Sequence, residues 1–248
     1  MSKINTSWGE VADWYEGAVA KDGSYQRALI YPNLLRMSSP QKGEHILDIG
    51  CGEGSWGAIL SNKECVIYGI DIAPELIHIA KTKVPTGNFI VGDANNLSVI
   101  QHNNFDKAFI ILALQNIENA SNVIDGASRL LRKEGHLYIV LNHACFRVPK
   151  FSDWAWENNI QYRRVSRYLS EGKNDIIIHP GRDAQTKTIS FHRPLQYFFK
   201  AFHRAGLVVA RLEEWNSTKA SQPGPRAAIE DRARKEIPLF MAIECRKI

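Results

Sequence analysis

The sequence predicts a doubly wound, Rossmann-like α/β fold, in which helices cover both faces of a largely parallel sheet. From about residue 45, short β-rich runs alternate with amphipathic stretches. These runs are apolar on both faces, as buried parallel strands are, and a glycine cluster directly follows the first of them. The 248 residues, 44% of them hydrophobic, are enough for one large domain with an insertion.

The pattern predicts seven strands and four helices after residue 40. Pro74 suits a first helical turn, and Gly206 suits the end of a helix. We expect the last two strands to be antiparallel to each other. The predicted strands are 45–49, 65–70, 88–91, 108–112, 136–141, 207–212 and 239–245, and the predicted helices are 55–61, 74–83, 121–131 and 194–205.

Two segments lie outside this alternation. Residues 1–40 are predicted to form a helical flap that either packs on the sheet edge or closes over a cofactor. The second segment, residues 143–193, is inserted as a cap into the main domain, which comprises residues 41–248. Within the cap, 176–191 predicts a hairpin around a Pro-Gly turn. Aromatic residues alternate there with arginines: Phe146, Phe151, Trp154, Trp156, Tyr162 and Tyr168 with Arg147, Arg163, Arg164 and Arg167.

Positive charge is concentrated in the middle of the chain. Residues 143–212 contain 12 basic and 5 acidic residues, a net charge of +7, whereas the whole chain carries +5. This block is either a solvated basic surface or a pocket wall that attracts an anionic substrate, with nucleic acid as a further possibility.

Several classes of protein are disfavoured by composition. No window approaches 18 uncharged apolar residues, and the N-terminus lacks the apolar stretch of a secretory signal. The cysteines at 51, 65, 145 and 245 form no CxxC pair, and no histidine belongs to an HExxH motif. We therefore expect a cytoplasmic protein with neither a disulfide framework nor a structural metal.

The strongest chemical signal is the run Asp48-Ile49-Gly50-Cys51-Gly52-Glu53-Gly54 after the first strand. Glycines allow a tight turn that brings the backbone close to a ligand, at the start of a helix with free N–H groups. The run also satisfies GxGxxG through Gly57, so a nicotinamide enzyme has to be considered.

Three carboxylates help to decide between NAD and another nucleoside cofactor, S-adenosylmethionine. Asp71, 21 residues after Gly50, can accept both hydroxyls of a ribose in either cofactor. Asp93 can accept the exocyclic amine of an adenine. Asp48, within the glycine turn, would repel a pyrophosphate but attract a sulfonium with an ammonium group. The charge therefore favours S-adenosylmethionine over NAD.

On these residues the chain resembles the class I S-adenosylmethionine-dependent methyltransferases, and most closely their small-molecule, quinone-type branch. ILDIGCGEG, YGIDIAPELI and VGDANNL are similar to the family's first three cofactor motifs, and the resemblance covers about 45–142 and 194–248. It implies contacts with methionine, ribose, adenine and the methyl region. The implied cofactor residues are Asp48, Gly50, Cys51 and Gly52; Asp71 and Ile72; Asp93 and Ala94; and Ile111 and Gln115.

The remaining candidates lie in the flap and around the cap. Tyr15 or Tyr25 would offer a hydroxyl to the cofactor. His143, directly after strand five, is the candidate general base, with a hydrogen-bonded structural histidine as the alternative. The substrate-binding candidates Asn142, Tyr162, Arg163 and His192 have alternatives as well, since Tyr162 and Arg163 fit a solvated helix face and His192 fits a capping or packing role.

The sequence predicts methyl transfer from S-adenosylmethionine to a small, planar or anionic acceptor by in-line displacement. One alternative is an RNA methyltransferase that uses the basic cap, although Leu114-Gln115-Asn116 departs from the motif of enzymes that methylate exocyclic base amines. Another is a non-catalytic S-adenosylmethionine-binding subunit. The sequence does not specify an oligomeric state.

Overall fold

The computed structural model describes Gly17, residues 23–179 and residues 183–248. In this part of the chain the strands are β1 (His45–Ile49), β2 (Val66–Asp71), β3 (Asn88–Val91), β4 (Phe105–Ile111), β5 (Leu131–Asn142), β6 (Ser152–Glu157), β7 (Ile160–Val165), β8 (Gly172–His179), β9 (Asp183–His192), β10 (Leu207–Trp215) and β11 (Phe240–Lys247). The α-helices with described bounds are α1 (Tyr31–Ser38), α2 (Ser55–Ser61), α3 (Pro74–Lys83), α4 (Ala120–Leu130), α5 (Leu195–Arg204) and α6 (Ala227–Glu236).

Seven strands form the central sheet in the order β3-β2-β1-β4-β5-β11-β10. Six of them run parallel, and β11 runs antiparallel to both of its neighbours. The predicted fold class and the antiparallel final pair are confirmed. Because β1 to β5 are parallel, the loops at their carboxyl ends meet at one edge of the sheet, where open α/β sheets bind ligands.

Helices bury both faces of the sheet. Val123 of α4 and Phe198 of α5 pack with Leu47 and Ile49 of β1. On the other face, residues of α1, α2 and α3 pack with Ile46. Side chains alternate along a strand, so Asp48 lies on the same face as Ile46. None of the helices in the described ranges is long and apolar enough to cross a bilayer.

The cap contains one more hairpin than the sequence predicts. Strands β6 and β7 pair antiparallel, with Asn158 and Asn159 at the turn in left-handed conformation (φ 48° and 60°). Two consecutive residues with positive φ are typical of a type I′ turn, which asparagine tolerates. Tyr162 and Arg163 therefore lie on a strand, and their interpretation as a helix face is wrong. The predicted second hairpin is present as β8 and β9.

The described part of the predicted flap begins with a π-helical turn, Gln26–Ile30, that continues into α1. Ser39 ends α1 in left-handed conformation, one residue before Pro40. Tyr31, Leu34 and Met37 form its buried face. Residues 1–16 and 18–22 of the predicted flap lie outside the described residues.

Candidate functional site

The glycine turn after β1 is held against the neighbouring strand and loop. The backbone N–H groups of Gly50 and Cys51 both donate to the carbonyl of Ile70, at 2.8 and 3.1 Å. Gly50 has φ 72°, and a Cβ at this position would lie 2.5 Å from the Cβ of Ala113. Only glycine fits this close approach, which brings the turn against the loop that follows β4.

Asp48 is a buried acid beside this turn, with only 2% of its surface exposed. Burial, together with the negative charges of Asp71 and Glu53, raises the pKa of its carboxyl to about 8. A cation bound nearby would reverse this effect and favour the ionised carboxylate. The position therefore suits a positively charged ligand group.

Asp71 ends β2 with both carboxylate oxygens oriented by the backbone. Its Oδ2 accepts the N–H of Gly52 at 2.9 Å, and its Oδ1 accepts the N–H of Ala73 at 3.0 Å. Burial raises the pKa of this carboxyl, and these hydrogen bonds oppose the rise. Each oxygen keeps a further acceptor lone pair, which is what two adjacent ribose hydroxyls require.

Asp93 lies two residues beyond the end of β3. Its Oδ1 accepts both the backbone N–H and the side-chain amide of Asn95, at 2.9 and 2.8 Å. These bonds orient the carboxylate and leave Oδ2 as an acceptor. The N–H of Gly92 donates to the Asp71 carbonyl at 2.8 Å, which joins the loops after β2 and β3. The three acids thus lie on three adjacent strands at one sheet edge.

A cavity opens beside Asp48 and the glycine turn. Tyr31 stacks on Trp56, with ring centroids 5.4 Å apart. Among the described residues, no partner accepts the buried indole N–H of Trp56. The sequence predicts Asp48, Gly50, Cys51 and Ile111 at this site but not the other lining residues. The cavity is lined by Gln26, Tyr31, Asp48, Gly50, Cys51, Glu53, Trp56, Ile111 and Leu112.

The lining residues fit S-adenosylmethionine better than a dinucleotide. Asp48 and Glu53 both contribute carboxylates to the cavity, and Lys83 pairs with Glu53 at 2.8 Å. A pyrophosphate would meet these acids unfavourably, whereas an ammonium and a sulfonium would be stabilised. The unpartnered indole N–H adds a donor for a ligand acceptor atom. Glu53 lies in the glycine run itself, so its acidity could have signalled this role.

The other cofactor candidates are not among the residues that line this cavity. The Tyr25 hydroxyl is hydrogen-bonded to the Ser217 hydroxyl at 2.7 Å. Gln115 lies on a 3₁₀ turn after β4, and within the described chain its buried Oε1 has no partner. Ile72 follows the end of β2, and Ala94 packs against the core. Tyr15 lies outside the described residues.

His143 is buried, with both ring nitrogens engaged. Its Nε2 lies 2.6 Å from a carboxylate oxygen of Glu214, and its Nδ1 accepts the N–H of Cys145 at 3.2 Å. Burial lowers the pKa of the imidazole, and Glu214 partly offsets this. A general base needs a free acceptor nitrogen, so this geometry favours a positioning role over proton abstraction.

The substrate candidates are distributed over the cap and its base. Asn142 ends β5 and is exposed, and Tyr162 lies opposite Ala155 in the first hairpin. His192 donates from Nε2 to the Tyr168 carbonyl at 2.7 Å, which links the second hairpin to the chain before it. Arg163 donates to the carbonyl of Phe146 and to both oxygens of Ser152. These contacts explain His192 and Arg163 as parts of the cap framework.

The basic and aromatic residues of the cap pair with one another. Their guanidinium groups lie 4.6 to 5.4 Å from ring centroids, a distance at which cations are attracted to aromatic faces. Much of the positive excess of this segment is therefore part of the cap's own packing. The pairs within the cap are Arg147 and Arg163 with Trp154, Arg167 with Phe151, and Arg193 with Phe191, while Arg226, from outside the cap, lies over Trp156.

Known proteins resemble this chain in both sequence and fold. Residues 47–139 match a family described as "Methyltransferase domain". A demethylmenaquinone methyltransferase of Thermotoga maritima is 30% identical over 99 residues, which are 39% of this chain and 43% of that protein. An O-methyltransferase of Pyrenophora dematioidea is 30% identical over 131 residues, 49% of each chain. The chain thus matches less than half of each of these relatives.

A solved structure covers more of the chain. The S-adenosylmethionine-dependent methyltransferase from Mesorhizobium loti superposes with a TM-score of 0.70, covering 87% of this chain and 96% of its own. At 22% identity, this likeness shows the fold. In the described residues, no group of three His, Cys, Asp or Glu side chains is arranged to hold a metal ion.

Proposed function

From the match of residues 47–139 to a methyltransferase-domain family and from the fold, we propose that the protein is an S-adenosylmethionine-dependent methyltransferase that transfers the methyl group to a small, planar or anionic acceptor by in-line displacement. The observation that carries the proposal is the buried carboxyl of Asp48 beside the glycine turn. It stabilises a cationic ligand and disfavours the pyrophosphate of a dinucleotide. The demethylmenaquinone and O-methyltransferase relatives support a small-molecule acceptor.

Each cofactor contact has a residue with suitable chemistry. We assign Asp48, Gly50, Cys51 and Gly52 to the methionine part, with the acid near the positive charge. Asp71 and Ile72 then hold the ribose, and Asp93 and Ala94 hold the adenine. Ile111 and Gln115 lie towards the methyl group. Support comes from the shared sheet edge and from the backbone hydrogen bonds that orient the acids.

The protein's catalytic contribution is mainly positioning. S-adenosylmethionine supplies a methyl carbon already activated by its positively charged sulfur. The residues around the cavity have to hold an acceptor atom about 3 Å from that carbon and in line with the sulfur. A base is needed only when the acceptor must lose a proton, as a phenol must. Since both nitrogens of His143 are engaged, we assign it a positioning role rather than that of a base.

Two other functions remain as outcomes of the test. An RNA methyltransferase would need cap arginines free to meet phosphates, but Arg163 donates to three cap oxygens and Arg167 lies over the Phe151 ring. A non-catalytic subunit would bind the cofactor without turnover. The cavity with its acidic lining fits both this subunit and an enzyme, so turnover has to decide between them.

The test is an acceptor screen with S-adenosylhomocysteine release as the readout. The full chain is incubated with S-adenosylmethionine and a panel of phenols, quinols and aromatic carboxylic acids. We expect release that requires an acceptor, that Asp48→Ala abolishes, and that Glu64→Ala, at an exposed acid, leaves unchanged. Tight cofactor binding without release would indicate the non-catalytic subunit. Release only with RNA, steeply weakened by salt, would indicate the RNA enzyme.

A further inference from the structure

Arg147 carries a half-buried charge without a matching acid. It lies in the turn after β5, and in the described part of the chain no Asp or Glu pairs with it. One Nη donates a long hydrogen bond of 3.5 Å to the Pro238 carbonyl, and the buried Nε has no partner among the described residues. Burial lowers the pKa of this guanidinium to about 10. Such a group is costly to leave unsatisfied.

A second arginine increases this cost. Arg147 and Arg163 both approach the ring of Trp154, at 5.3 and 5.4 Å, and repulsion from Arg163 adds to the lowering of the Arg147 pKa. The two differ in their bonding, because Arg163 donates to three cap oxygens whereas Arg147 keeps donors unused. Arg163 therefore fixes the cap, and Arg147 is the guanidinium left to meet a ligand.

The location of Arg147 connects it to the candidate site. Its Nη donates to the carbonyl of Pro238, two residues before β11 begins at Phe240. Tyr25 packs edge-on against Phe240, with centroids 5.4 Å apart, and the next residue, Gln26, lines the cavity beside Asp48. Arg147 thus lies at the same sheet edge as the cofactor candidates.

We propose that Arg147 binds an anionic oxygen, a carboxylate or phenolate, of the methyl acceptor. The proposal rests on the function proposed above and narrows its substrate class to anionic aromatic compounds. A guanidinium presents several N–H donors in one plane, which matches the two oxygens of a carboxylate. Negative charge at this position would also offset the repulsion between the two arginines.

The test compares a charged probe with a neutral one of the same shape. Binding of 4-hydroxybenzoate and of 4-hydroxybenzamide to the full chain, saturated with S-adenosylhomocysteine, is measured by calorimetry. For the wild type we expect the carboxylate to bind more tightly. Arg147→Met should weaken carboxylate binding about tenfold, which is the loss of one charge-assisted hydrogen bond, and leave the amide unchanged. Arg147→Lys keeps the charge but loses the planar donors, so its affinity for the carboxylate should lie between those of the wild type and Arg147→Met.

Arg167→Met is the matched control, because it removes a cap guanidinium that lies over Phe151. Arg167→Met should leave the affinities for 4-hydroxybenzoate and for 4-hydroxybenzamide unchanged. Unchanged preference for the carboxylate in Arg147→Met, or no carboxylate binding by the wild type, would overturn the proposal. Affinity for S-adenosylhomocysteine separates failure of the Arg147 proposal from failure of the proposed function. No affinity in the wild type would contradict the methyltransferase function, whereas equal affinity in all variants would leave that function intact.

Discussion

At the scale of single residues, Asp48 links stability to ligand charge. Its carboxyl titrates near pH 8 in the folded protein and near pH 4 in an unfolded chain. Between these values the folded state holds the extra proton, so this group makes the ligand-free protein less stable as pH rises. A bound cation lowers the pKa of Asp48 in the folded protein. Ligand binding therefore restores part of the stability that the protein loses as pH rises.

We therefore expect Asp48→Asn to stabilise the ligand-free protein at pH 8 and to have little effect on its stability at pH 4. The same variant should bind S-adenosylmethionine more weakly. Thermal unfolding at both pH values, with and without the cofactor, measures these effects, and Glu64→Gln at an exposed acid is the control. A destabilised Asp48→Asn protein at pH 8 would show that the buried carboxyl is not strained by its charge.

His143 gives a second residue-scale prediction. Its replacement by Ala leaves Glu214 and the N–H of Cys145 without their partner, so we expect a loss of about 1 to 3 kcal/mol in the free energy of unfolding. His143→Gln, whose amide can donate to Glu214, should retain more stability and most of the turnover. Turnover lost in His143→Gln at unchanged stability would restore the general-base role.

Residue roles could be predicted from sequence where the partners are close along the chain. Asp71 and Asp93 each follow a β-rich run, so their place at the sheet edge follows from the strand pattern. His143 meets Glu214 across 71 residues, and Tyr25 meets Ser217 across 192. Such pairings depend on how distant elements pack, which local patterns do not specify. That Arg147 lacks an acidic partner within the described ranges was likewise invisible in a segment rich in both charges and rings.

At the scale of elements, periodicity predicted the buried strands and helices well. The bounds of α2 and α3 agree with the prediction, because their apolar positions follow a helical period and Pro74 marks a start. The first cap hairpin was missed because its strands are mostly half-exposed and its turn residues, Asn158 and Asn159, lack the usual glycine. The spacing of Trp154 and Trp156, two residues apart as on one face of a strand, was its signal.

That turn can be tested by substitution. Asn159 has φ 60°, so Asn159→Gly should stabilise the hairpin slightly, and Asn159→Val should destabilise the protein by about 1 to 2 kcal/mol. Asn62 is the matched control, since it has φ −66° and its replacement by Gly should not stabilise. Denaturant unfolding of the variants measures the differences. Equal effects of Gly at both positions would contradict the left-handed turn.

At the scale of the whole molecule, opposite charges occupy separate parts of the sheet edge. The acids of β1, β2 and β3 form one half, where the cofactor is assigned. The cap, which contains Arg147 and Trp154, follows β5 in the other half. A cationic cofactor and an anionic acceptor would thus each find a region of opposite charge, with their reacting atoms brought together between them.

The most direct test of this account is calorimetry of S-adenosylmethionine and NAD binding to the wild type and to Asp71→Ala. We predict that the wild type binds S-adenosylmethionine and not NAD, and that Asp71→Ala weakens this binding at least about tenfold through loss of the ribose acceptors. Equal affinity of both proteins for S-adenosylmethionine, or preferential binding of NAD, would contradict the assignment of the site.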